Sequence, residues 1–220
     1  LEHAGETLSK AASLFFTKGG NHTNDDIQAL EREFAPEFAR HSGEIAKNRE
    51  LFERIEALWE KRDQLDLTDE QKQVLKKTRR GFIRMGAALV GDEQAGLIAI
   101  NERLATLGTQ FSQNVLKDEG DWIMPLDESD LDGIPADLKS TMAGVATERG
   151  HDGHYAVTAS RSVVVPFLVS SKRRDLREKA FAAWTSRGDN GGETDNGAII
   201  EETLRLRAEK AKLLGFSTFA

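Results

Sequence analysis

Cysteine is absent from the 220 residues, and with it go disulfide frames, zinc ribbons and thiol nucleophiles. The absence fits a reducing cytosol, so a cytoplasmic location is the expectation. No apolar run approaches the ~20 residues that a bilayer-spanning helix needs, and no signal-peptide pattern stands at the start. No membrane partner is therefore expected. A basic surface is missing too. The formal net charge is −7 and the two signs are interleaved, whereas phosphate backbones call for a clustered positive patch. That argues against a nucleic-acid partner. Several catalytic motifs are also lacking. There is no G-x-S-x-G elbow and no G-x-x-x-x-G-K phosphate loop. None of the five histidines is followed by glutamate, so H-E-x-x-H cannot occur. The chain opens LEHAGETLSKAASLFF without an initiator methionine and stops abruptly at LLGFSTFA, which raises the expectation of a fragment.

What the chain does contain is helical periodicity. From Asp92 to Glu119, Leu97, Ile100, Leu104, Leu107, Phe111 and Val115 recur at steps of three and four, the spacing of one helix face. Asp92 stands where an N-cap belongs, and at ~1.5 Å per residue the helix would run about 40 Å. Before it, residues 2–18 predict a helix with Leu8, Phe15 and Phe16 on one side, closed by Gly19 and Gly20. A second is predicted from a cap at Thr23 or Asn24 to about residue 46, with Ile27, Leu30, Phe34, Phe38 and Ile45 along one stripe and a kink at Pro36. Glu50–Leu65 predicts a third, with Leu51, Phe52, Ile55, Leu58, Trp59 and Leu65 inward. Thr68 and Gln71 have capping-box spacing, so a fourth begins at Asp69 and carries Val74, Leu75, Phe82, Met85 and Leu89 to Gly91. Such short connections imply antiparallel neighbours.

The pattern changes at Gly120. Trp122–Leu126 and His154–Ala159 read as strands that pair, with a helix over Ala136–Arg149 between them. Ser162–Ser171 is ambiguous: its valines favour a strand, while Pro166 fits only an edge. Helices are predicted over Arg173–Arg187, with Leu176, Ala180, Phe181 and Trp184 inward, and over Ala198–Leu214. The last has two apolar stripes, one through Ile200 and Leu204 and one through Ile199, Leu206 and Leu213. The fold class expected is mainly α: a multi-helix antiparallel bundle with a small β-hairpin-like insertion at about 121–159. It forms one helical region with sub-parts 1–119, 120–172 and 173–220.

Candidate chemistry is thin. His151 and His154 flank Asp152 and could share a metal, but zinc needs three or four ligands and the other histidines are far away, so turn histidines are the better reading. The loop Asp189–Gly197 invites calcium, yet Gly191 occupies a position where an oxygen donor is required, and a helix connector is preferred. KRRDLREK (172–179) is basic but interrupted by Asp175 and Glu178, as in a solvated helix face with local ion pairs. No catalytic, cofactor-binding or metal-binding residue is assigned.

Three stretches together carry a resemblance. HTNDDIQALEREFAPEFARH (22–41), INERLATLGTQFSQNVL (100–116), and RRDLREKAFAAWTSRGDNGGETDN (173–196) with LRLRAEKAKLLGFSTFA (204–220) resemble the thimet oligopeptidase/peptidyl-dipeptidase family of zinc metallopeptidases. Order and spacing match over essentially all of the chain, and RGDNGG makes the bacterial peptidyl-dipeptidases (dipeptidyl carboxypeptidases) the nearest likeness. The resemblance implies a parent enzyme that removes C-terminal dipeptides from short peptides, using zinc held by two His and a Glu, with the H-E-x-x-H Glu activating water. Those residues lie C-terminal to the matched region. The expectation is therefore an N-terminal, channel-forming helical part that binds no zinc, is inactive alone, and has the catalytic domain of its own chain as partner. The resemblance also favours helix for Val163–Val169. A non-enzymatic scaffold or peptide-binding module is the alternative.

Overall fold

The computed structural model describes residues 4–220, which divide into two compact units. The first comprises the chain to Gln110 together with Glu201–Ala220; the second is Phe111–Ile200. The described chain is mainly α with one small two-stranded sheet.

In the first unit, α1 (Glu6–Asn21) and α2 (Asp25–Lys47) are followed by α3 (Arg49–Glu60) and α4 (Asp69–Arg84). The Asn24 side chain caps α2 by accepting from Ile27 N at 2.9 Å, and α2 continues through Pro36 without a break. The predicted capping box closes α4: Gln71 N donates to Thr68 Oγ1 and Thr68 N to Gln71 Oε1. Phe52, Ile55, Phe82 and Ala87 form a core, with the Phe52 and Phe82 rings stacked at 6.4 Å. The guanidinium groups of Arg62 and Arg79 both lie over the Trp59 ring, at 4.4 and 5.1 Å from its centroid.

The second unit holds β1 (Ile123–Leu126), a 3-10 turn (Glu128–Asp130), α6 (Ala136–Glu148), β2 (Tyr155–Thr158), α7 (Arg161–Ser170) and α8 (Arg174–Thr185). The strands pair antiparallel with Ile123 opposite Thr158 and Leu126 opposite Tyr155. Leu126, Leu138, Met142, Val157, Val164, Phe167, Leu176 and Ala180 build its core. α5 (Gly91–Asp121) and α9 (Gly197–Leu213) each contribute residues to both units.

Several expectations are corrected. Residues 2 and 3 of the first predicted helix lie outside the described residues. Gly19 and Gly20 do not end that helix but lie inside α1. A Cβ at Gly19 would meet the carboxylate end of Glu31 at 2.0 Å, a flexible tip that can move aside. α3 ends at Glu60, not Leu65, and α4 at Arg84, where Gly86 takes φ +91° and a Cβ would strike Leu97 at 2.3 Å. Asp92 lies in the first turn of α5, favourable to the helix dipole, and α5 begins at Gly91. Leu58, Leu65, Val74, Phe111, Phe181, Ile200 and Leu204, all expected inward, are exposed. Periodicity names a face but not whether anything covers it. The ambiguous valine run is helical: α7 carries Pro166 at the expense of one backbone bond and buries Val163, Val164 and Phe167.

Candidate functional site

The connector between α8 and α9 is built, within the second unit, upon the end of α5. Asp118 Oδ2 accepts from Gly188 N and from Asn190 Nδ2, both at 2.7 Å, and its Oδ1 accepts the Thr194 hydroxyl. Asp195 closes the loop tip, accepting from Gly191 N and Gly197 N at 2.8 Å each. Those backbone donors hold its carboxyl below the ordinary carboxylate value. Asn196, 1% exposed, donates to the Phe111 carbonyl and accepts from Asn114 Nδ2 at 2.9 Å. Gly188 has φ +69°, and a Cβ there would lie 2.6 Å from Asn196 Nδ2. Only glycine allows both the turn and the approach.

Arg187 joins this loop to its surroundings. Its Nη1 donates to Glu119 Oε2 and to the Ala159 carbonyl, and its Nε to the Trp184 carbonyl. A cleft of about 320 Å³ opens beside it, lined by Asp118, Asp121, Trp122, Ser186, Arg187 and Asn190. Both Asp118 oxygens accept hydrogen bonds from the loop, so the carboxylate positions it.

The other candidates are placed as follows. His151 and His154 stand on the turn into β2, where the His154 Nδ1 lies 3.0 Å from Asp127 Oδ1. Next to it the Tyr155 hydroxyl donates to Glu128 Oε2 at 2.7 Å, which lowers the Glu128 pKa and raises that of Tyr155. Among the described residues, no three His, Asp or Glu side chains gather as a metal centre requires. The residues present do not fit the zinc that the resemblance implies. In KRRDLREK the pairing is uneven. Lys172 binds Asp132, and Arg173 binds Asp130 and Asp175, holding the Asp175 carboxyl down at about 2. Sequence reasoning did not single out Asp118 or Asn196. Asn196 directly precedes α9, a cap-like signal that could have drawn notice; a lone acid late in α5 offers none.

The family model for peptidase family M3 matches residues 167–220. Dipeptidyl carboxypeptidase of Escherichia coli (strain K12) is 33% identical over 100% of this chain and 32% of its own length. Oligopeptidase A of Haemophilus influenzae is 31% identical over 100% of this chain and 33% of its own length. A probable cytosolic oligopeptidase A of Arabidopsis thaliana is 27% identical over 89% of this chain and 29% of its own length. The chain thus spans about a third of the length of these curated relatives.

Proposed function

We propose that the chain belongs to peptidase family M3 and is the N-terminal, channel-forming helical part of a zinc-dependent peptidyl-dipeptidase, a reading supported by the family match over residues 167–220 and by the likeness to dipeptidyl carboxypeptidases over the whole chain. The parent enzyme would release C-terminal dipeptides from short peptides, with catalysis supplied by residues outside these 220. One observation carries the reading. The likeness covers all of this chain but only 32% of the Escherichia coli dipeptidyl carboxypeptidase, while H-E-x-x-H does not occur in the sequence. The polar knot around Asp118 agrees with a scaffold role, since its carboxylate and amides bind one another.

The proposal assigns short peptides as substrates of the parent, the catalytic part of the same chain as partner, and the cytoplasm as location. None of the described helices is long and apolar enough to cross a membrane. Two measurements test the reading. The isolated chain, assayed on a fluorogenic peptide with and without added zinc, should show no turnover and no stoichiometric zinc; either one appearing would overturn it. The coding frame should run on beyond Ala220 to an H-E-x-x-H. A stop codon there would instead favour a self-standing scaffold or peptide-binding module.

A further inference from the structure

The basic run 172–179 divides into two halves with different roles. Lys172 and Arg173 are engaged by Asp132, Asp130 and Asp175, whereas Arg174 and Arg177 have no acidic partner among the described residues. Both line a cleft of about 580 Å³ with Leu168, Glu178 and Phe181. Positions 174, 177, 178 and 181 follow the helical spacing that places side chains along one face of α8. The opposite face, through Leu176 and Ala180, is buried in the core of the second unit. So the cleft face is a second face, and it is not a polar one. Phe181 is 54% exposed, and Val169, next to Leu168 in α7, is 79% exposed.

We propose that this face of α8, with Leu168 of α7, docks an acidic polypeptide segment that presents a bulky apolar side chain flanked by carboxylates. Two guanidinium groups against the single carboxylate of Glu178 make the lining cationic. Guanidinium is the side-chain cation whose fork matches a carboxylate bidentately. Phe181 and Leu168 supply the apolar floor that a docked leucine or phenylalanine would cover. The surface is independent of the peptidase reading, since it requires neither zinc nor turnover.

The probe is a fluorescein-labelled, end-blocked hexapeptide, Glu-Asp-Leu-Phe-Asp-Glu, titrated against the full chain by fluorescence anisotropy. Saturable binding should weaken as salt rises. R174E/R177E should lose about tenfold or more in affinity, R174K/R177K should lose less, and F181S should also weaken binding. Circular dichroism checks that each variant keeps the parent helix content. K72E/K76E, at exposed positions of α4, should bind as the parent does. Lysine in place of the peptide acids, or serine in place of its Leu-Phe, should abolish binding. Equal affinity of the parent and R174E/R177E, equal affinity for the lysine peptide, or no binding at millimolar concentration would each overturn the proposal. So would a dimer, seen by light scattering, that F181S disperses, because the face would then belong to a second copy.

Discussion

The two units bury their apolar residues by different means. In the second, strands β1 and β2 and helices α6, α7 and α8 converge, so that Met142, Val157, Val164 and Phe167 have no exposed surface. In the first, α3 and α4 close over Phe52, Ile55, Phe82 and Ala87, and α5 buries Leu97 and Leu107. There α1 and α2 meet through the rings of Phe15, Phe16, Phe34 and Phe38, yet Leu14, Phe16, Leu30 and Phe34 stay exposed. An amphipathic helix supplies a face; burial needs neighbours arriving from several directions. The second unit gathers two strands and three helices around one core, while the α1–α2 pair of the first leaves much of its apolar face open.

The largest expected effect tests that difference directly. Phe167→Ala removes a ring with 0% exposure and should cost about 3–5 kcal/mol, whereas Phe34→Ala, at 37% exposure, should cost about 1–2 kcal/mol. The chain's three tryptophans serve as reporters, Trp59 for the first unit and Trp122 and Trp184 for the second. Urea unfolding followed in variants that keep one reporter would assign each loss to its unit. Equal costs would end the contrast.

A middle effect compares polar construction. Asp118→Ala strands Gly188 N, the Asn190 amide and the Thr194 hydroxyl at once, for an expected loss of about 1–3 kcal/mol from the second unit. In the first unit the best-formed pair is Arg103 with Glu202, bound at 2.7 and 2.6 Å through two parallel bonds. It is substantially exposed, so Glu202→Ala should cost only about 0–1 kcal/mol. Amide hydrogen exchange at Gly188 should accelerate in the first variant and remain unchanged in the second.

How much was legible in the sequence follows the same division. The Thr68–Gln71 capping box, the pairing of 123–126 with 155–158 and the helix over 136–148 were all readable, because each rests on local signals. Gly19 and Gly20 were misread as a stop because a glycine pair is a local breaker signal that the helix overrides by continuing to Asn21. Phe181 was placed inward by period alone, which cannot tell a covered face from an open one. The Asp118 knot was invisible in the sequence. Its donors lie 70 or more residues away, and nothing about an acid late in a helix announces them. Where the polar residues actually spend their hydrogen bonds was not readable from motifs.

Acid provides the smallest and most graded test. In the second unit the Asp175 carboxyl is lowered from 3.8 to about 2, first by its hydrogen bond from Arg173. Glu128 and Asp195 are lowered as well, by Tyr155 and by the Gly191 and Gly197 amides. A carboxyl with a depressed folded pKa binds fewer protons folded than unfolded. Its contribution is therefore complete above the unfolded value and is lost as pH falls through the folded one. For Asp175 that window runs from 3.8 down to about 2. In the first unit Glu202, held down by Arg103, is the corresponding carboxyl. Acidification should thus soften the second unit at three sites and the first at one. Arg173→Ala should return the Asp175 titration, followed by its carboxyl carbon resonance, toward 3.8 and make the acid unfolding of the second unit shallower. An unmoved titration would mean that the Arg173 bond is not what holds Asp175 ionised.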